Sequence, residues 1–250
     1  MPPALQSTTR DSSFVSTRWT VVRQAADSQT SSQHALGALT ELCQIYWRPI
    51  YFFLRRQGYS FDEAEDLTQG FFAHLIENRT YARASAEKGR FRAFLLGALK
   101  YFVADARKHE RAQKRGGGVM LLRLDHATIA DAEAHAAGLV RWGADRVYER
   151  EWAATLLRQA LKRLAEECAL SGKKDLFESL KPHLSPDSGT RVPYDQIATR
   201  LGRSAATLRS DVARLRERFG AILREEVQST LLDAADVEEE LRYLCEVTAA

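Results

Sequence analysis

Apolar residues recur at three- and four-residue steps along most of the chain, the spacing that collects them on one face of an α-helix. Leu36, Leu39, Leu42, Cys43, Tyr46, Ile50, Phe53 and Leu54 predict a helix over about 34–57. Pro49 falls inside it as a point of kinking or splitting, and Gly58 is its stop. Before it, Ser16-Thr17-Arg18-Trp19 opens a shorter helix with Val21, Val22, Ala25 and Ala26 on one face. A third helix covers 62–77, with Ser60 or Asp62 as N-cap. Its first turns carry Glu63, Glu65 and Asp66, where the helix dipole favours negative charge. A fourth, 90–115, is apolar in its first half and basic in its second, and Gly116-Gly117-Gly118 stops it. Periodicity is weak over 119–145 and returns at 146, where Trp152, Leu156, Leu157, Ala160, Leu161 and Leu164 form one stripe. Helices over 173–184, 194–201 and 205–226 follow, then an acidic amphipathic segment over 233–246. With no alternating strand pattern, the expected class is all-α. The expected layout is a disordered leader (1–13), two small helical bundles (14–115 and 146–229) joined by a linker (116–145), and an acidic C-terminal helix (230–250).

Length and charge fit this layout. The 250 residues suit about two domains of roughly 100 residues each. The net charge of +3 conceals a segregation, with Lys and Arg crowded into a few stretches and acids into the tail. Cys43, Cys168 and Cys245 lie far apart, the pattern of buried free thiols in a reducing compartment. No apolar run is long enough to span a membrane and the N-terminus lacks a signal-peptide core, so a soluble cytoplasmic protein is expected. The six His are scattered, and there is no P-loop, HExxH or Ser-His-Asp order. No metal, cofactor or bond chemistry is expected.

Residues 194–209 fit a helix-turn-helix. Ile197, Ala198 and Leu201 face the core, Gly202 supplies the turn and Ser204 caps the second helix. Leu208, Val212 and Leu215 give that helix a buried face. Ser204, Thr207, Arg209, Ser210 and Arg214 are its candidate DNA contacts, with Arg216 and Arg218 further along. Arginine suits guanine edges and phosphates, and short polar side chains permit close approach. Asp211 is discordant, a carboxylate that either accepts from a cytosine or pairs with an Arg. An ordinary hairpin with a solvated basic face is the plainer reading.

The helix over 62–77 joins an acidic half to an aromatic and aliphatic half. Leu67, Phe71 and Leu75 enter the core, leaving Glu65, Asp66, Gln69 and Phe72 as candidate contacts for a basic protein partner. Residues 88–115 are the complement. Lys88, Arg90, Arg92, Lys100, Arg107, Lys108, Arg111, Lys114 and Arg115 stand against Asp105 and Glu110, with Phe91, Phe94, Tyr101 and Phe102 interleaved. Basic side chains neutralise phosphates, and aromatics stack on unpaired bases. Most of these aromatics are expected in the core, and Tyr101 is the least so.

Together these stretches resemble the sigma-70 family of RNA polymerase sigma factors, of the extracytoplasmic-function (ECF) type, from about Trp19 to Val227. Ala64-Glu65-Asp66-Leu67-Thr68-Gln69-Gly70-Phe71 is similar to that family's AED-x-x-Q-x-x-F segment, which binds the clamp helices of the polymerase β′ subunit. Phe94-Leu95 stands where the family usually has Trp-Leu, Tyr101 where Asn is common, and Asp105 and Lys108 follow at the expected steps. The resemblance implies a region 2 in which Glu65, Asp66, Gln69 and Phe72 bind polymerase. In it, Lys88, Arg90, Arg92, Tyr101, Arg107, Lys108 and Arg111 meet the −10 element. It implies a region 4 in which Ser204, Thr207, Arg209, Ser210 and Arg214 read the −35 element. Lys114–Gly118 and Tyr148–Trp152 resemble a subgroup with a longer linker. The implied partners are core RNA polymerase (β′ clamp helices and β flap) and promoter DNA, and an anti-sigma factor is one the family allows. A helix-turn-helix regulator that never engages polymerase is the main alternative, and an all-α scaffold is a third reading.

Overall fold

The computed structural model describes residues 32–83, 90–112, 142–184, 192–231 and 236–249, and among these the helical periodicity closes into eight α-helices and two short 3-10 turns. Among the described residues there is no strand, as the all-α class requires. The leader 1–13, the helix expected from Ser16 and most of the linker lie outside the described residues.

Helix α1 (Ser32–Arg56) runs unbroken through Pro49. An internal proline costs about 3 kcal/mol in a free helix. Here Tyr46, Ile50, Tyr51, Phe53 and Leu54 are all buried around it, and that packing outweighs the lost hydrogen bond. Gly58, at φ 93°, turns the chain. Helix α2 (Phe61–Glu77) starts on a reciprocal cap at Ser60. The Glu63 amide donates to Ser60 Oγ (3.3 Å) and the Ser60 amide to Glu63 Oε2 (2.7 Å). These bonds to Ser60 hold the Glu63 carboxyl below the usual carboxylate range. Helix α3 (Phe91–Ala112) follows, and the rest of the basic run lies outside the described residues.

Helix α4 (Ala144–Leu170) is apolar on more than one side and serves several partners. Val147, Tyr148, Trp152, Ala153 and Leu156 join the cluster built from α1, α2 and α3. Further along, Ala160, Leu164 and Cys168 pack with Phe177 of α5 (Lys174–Leu180) and Ile222 of α7 (Ala205–Ser229). The largest core therefore draws on both sides of the 116–145 stretch. A buried ion pair crosses the α1–α4 seam, Arg48 Nε to Glu151 Oε2 at 3.4 Å, and Arg158 reaches the same oxygen at 3.7 Å. Tyr148 Oη donates to the Arg92 carbonyl (3.0 Å), and burial pushes this phenol well above its ordinary pKa.

Helix α6 (Tyr194–Leu201) and α7 form the expected helix-turn-helix over a small core of Leu180, Ile197, Leu208 and Val212. Gly202 sits at φ 62°, ψ 35°, the left-handed conformation that glycine adopts without penalty. Ser204 Oγ accepts from the Thr207 amide (3.1 Å) and so caps α7.

Helix α8 (Val237–Ala249) packs against α4 and α7 through Val237, Leu244 and Val247. Its Glu238 meets Arg224 (3.0 Å), while Glu239 and Glu240 meet Arg90 and Arg92. One thiol departs from expectation: Cys43 and Cys168 are buried, but Cys245 is exposed, on the outer side of α8. Burial pushes the Cys43 thiol up to about 12. Among the described residues no helix is long and apolar enough to cross a membrane.

Candidate nucleic-acid and partner interfaces

Helix α2 presents the first surface. Packing against α1 and α3 buries Ala64, Thr68, Phe71, Phe72 and Leu75. Asp66 is exposed, and Glu65 and Gln69 are half-buried beside it. Gln69 Nε2 donates to Glu65 Oε1 (3.2 Å), so the two polar side chains form one unit a turn apart. Phe72 does not belong to this surface. It is 1% exposed, because α2 is enclosed from two sides and its apolar face is wider than the Leu67–Phe71–Leu75 stripe.

The second surface lies on α3. Phe91 is in the core, and Phe94 and Phe102 are partly buried against it. Tyr101 is 83% exposed. It stands at the edge of an open groove of about 880 Å³ between α2 and α3, lined by Phe71, His74, Phe94, Phe102 and Asp105 among others. An aromatic ring in water beside an apolar groove is a platform for another flat ring. Arg107 is exposed nearby, its Nε bonded to Tyr59 Oη (2.6 Å) and its guanidinium 5.1 Å from the Tyr59 ring centre. Lys88 lies outside the described residues, as do the side chains of Lys108 and Arg111.

Arg90 and Arg92 correct the sequence reading. Arg92 is only 7% exposed. Its guanidinium lies between the Trp152 ring (4.6 Å) and the Tyr243 ring (4.5 Å), bonds Glu149 (2.8 Å), and contacts Glu240. Arg90 pairs with Glu239 (3.0 Å) and also contacts Glu240. In this arrangement neither side chain is free to meet an external phosphate.

The third surface is the second helix of the helix-turn-helix. Ser204, Thr207, Arg209, Ser210 and Arg214 are all exposed at its start. Ser204 and Thr207 share a hydroxyl contact (2.8 Å) on top of the cap, so they are ordered before any ligand arrives. Arg209 lies 5.5 Å from the Tyr194 ring centre, and Arg214 is 79% exposed at its side chain. Asp211 pairs with an Arg: it is buried, bonded to Arg203 (2.9 Å), with Arg214 at 3.7 Å. Arg216 and Arg218 are exposed but bonded within the protein. Arg216 donates to the His183 carbonyl (2.7 Å), and Arg218 holds Glu167 through two bonds (2.8 and 2.7 Å). Arg203 was missed, and the signal for it was Asp211, an acid set on an otherwise arginine-rich face.

Alanine at Tyr101 is expected to weaken single-stranded DNA binding by about 1–3 kcal/mol, the worth of one stacked base. The melting temperature should not move, because an exposed ring supports no core. Fluorescence titration with a labelled oligonucleotide checks this, and unchanged affinity removes Tyr101 from the interface.

No family model matches this chain, and neither a curated protein nor a solved structure matches it.

Proposed function

We propose that this protein is a sigma factor of the ECF type, which binds core RNA polymerase and directs it to promoter DNA. The observation that carries the reading is Tyr101. A chain that only reads duplex DNA has no use for a solvent-exposed aromatic at the mouth of an apolar groove, where an unpaired base would stack. A protein that holds a melted strand needs one. The same chain carries a helix-turn-helix with Arg209 and Arg214 exposed at its surface, suited to a duplex element such as the −35. It also carries the acidic strip of Glu65, Asp66 and Gln69, suited to the basic clamp helices of polymerase. A polymerase partner implies a cytoplasmic protein that performs no bond chemistry of its own.

The alternative is a helix-turn-helix regulator without polymerase. It is favoured by the helix-turn-helix of residues 194–218, which packs on a small core shared with Leu180 of α5. The two readings differ at Asp66. In a sigma factor Asp66→Lys puts like charge against the clamp helices and lowers core-polymerase affinity by about tenfold or more, an energy of at least about 1.4 kcal/mol. Because Asp66 is exposed, the fold should persist. Core polymerase pulled down equally by the wild type and a folded Asp66→Lys protein contradicts the sigma reading.

A further inference from the structure

Glu240 is the most deeply buried carboxylate of the C-terminal helix, 0% exposed, and it sits against two arginines from the start of α3. Around it are Arg90, Arg92, Glu149 and Glu239, with Tyr243 and Trp152 closing over Arg92. A helix that served only to stabilise the fold gains little from such a cluster. Desolvating a carboxylate and a guanidinium costs several kcal/mol per ion, and apolar residues of the same volume do as well or better. The apolar stripe of Val237, Leu244 and Val247 already anchors α8. What the charges add is selectivity: Glu239 and Glu240 occupy the two arginines that stand where α3 begins. That helix end carries partial positive charge and attracts anions, as do the arginines themselves. A carboxylate pair there fills the role that phosphates would otherwise take.

We propose that α8 is an intramolecular latch, in which Glu239 and Glu240 stand in for nucleic-acid phosphates on Arg90 and Arg92 and withhold both arginines from DNA until the helix is displaced. The proposal rests on the nucleic-acid reading of α3 given above. It assigns the acidic tail a target different from the helix-turn-helix arginines, since Arg209 and Arg214 remain exposed while α8 is docked. Displacement removes Glu239 and Glu240 together while Arg92 keeps Glu149 of α4 as a partner, so no charge is left buried alone.

The test uses the full chain and a labelled single-stranded oligonucleotide of mixed sequence at about 50 mM salt. Glu239→Gln/Glu240→Gln, with helicity checked by circular dichroism, is expected to bind about tenfold tighter than wild type. Its log–log salt dependence should steepen by about 1.4, roughly 0.7 for each released phosphate contact. Adding Arg90→Gln to that variant should remove about half of the added slope. Equal affinity of wild type and the folded double variant overturns the latch, as does a gain that Arg90→Gln leaves intact. Should the glutamine variant not fold, hydrogen exchange on the unaltered chain decides. Saturating oligonucleotide is expected to speed exchange across 237–249, and unchanged protection there overturns the proposal. Core-polymerase binding, measured on the same proteins, depends on Asp66 and not on α8. If it persists while the latch fails, the sigma reading stands; if it is absent from wild type, that reading fails whatever α8 does.

Discussion

Arg92→Ala is expected to cost about 3–5 kcal/mol of folding stability, more than any substitution on the exposed faces of α2, α3 or α7. The loss has two parts. The guanidinium fills the space between Trp152 and Tyr243, so its removal leaves two aromatic faces without a partner. It also balances Glu240, which has no exposed surface, and Glu149, which is mostly covered. Arg90 still contacts Glu240, but a buried carboxylate stripped of one of its counter-charges costs more than a pair never buried. Replacing both members, Arg92→Met with Glu240→Leu, should therefore recover much of the loss. Urea denaturation monitored by circular dichroism measures both variants. A loss below about 1 kcal/mol for Arg92→Ala alone would mean that α8 does not close over Arg92.

The second large effect belongs to the helix-turn-helix. Arg209 and Arg214 are five residues apart on α7 and point in different directions. Arg209 is steadied by the Tyr194 ring, and Arg214 extends into solvent with Asp211 at its base. We expect Arg209, the better ordered, to reach base edges, because bidentate readout needs a fixed guanidinium. Arg209→Ala should then cost about 1–3 kcal/mol and relax preference at one position of the −35 element. Arg214→Ala should weaken all duplexes alike and reduce the salt slope by about one. Titrations of both variants across a −35 library separate the roles. If neither variant changes affinity or preference, α7 is not the reading helix.

The elements of this fold were legible wherever the determinants are local. Tyr194–Leu201 was bounded to the residue, because Gly202 and Ser204 mark the turn and the cap within three positions. Ser60, one of the two caps offered with Asp62, is the one that caps α2. Tyr101 was the aromatic of the basic run least expected in the core, and it is exposed. What was not legible depends on contacts between distant parts of the chain. Arg92 reads as one more cation in a basic run, yet its partner Glu240 is 148 positions away. Phe72 reads as the aromatic edge of a binding face, and only the two-sided enclosure of α2 buries it. The stripe on α8 told that the helix would pack, but charge alone did not choose between two sets of arginines. The fold sets Glu239 and Glu240 against the arginines at the start of α3 and Glu238 against Arg224 of α7.

Run-off transcription with core polymerase, the full-length protein and a library of duplex templates tests directly whether this chain lets core RNA polymerase start at promoters, as proposed. The expected result is discrete transcripts that require the protein, share elements near −10 and −35, and vanish with Asp66→Lys. Duplex binding without any protein-dependent transcript would contradict it and leave a helix-turn-helix regulator in its place.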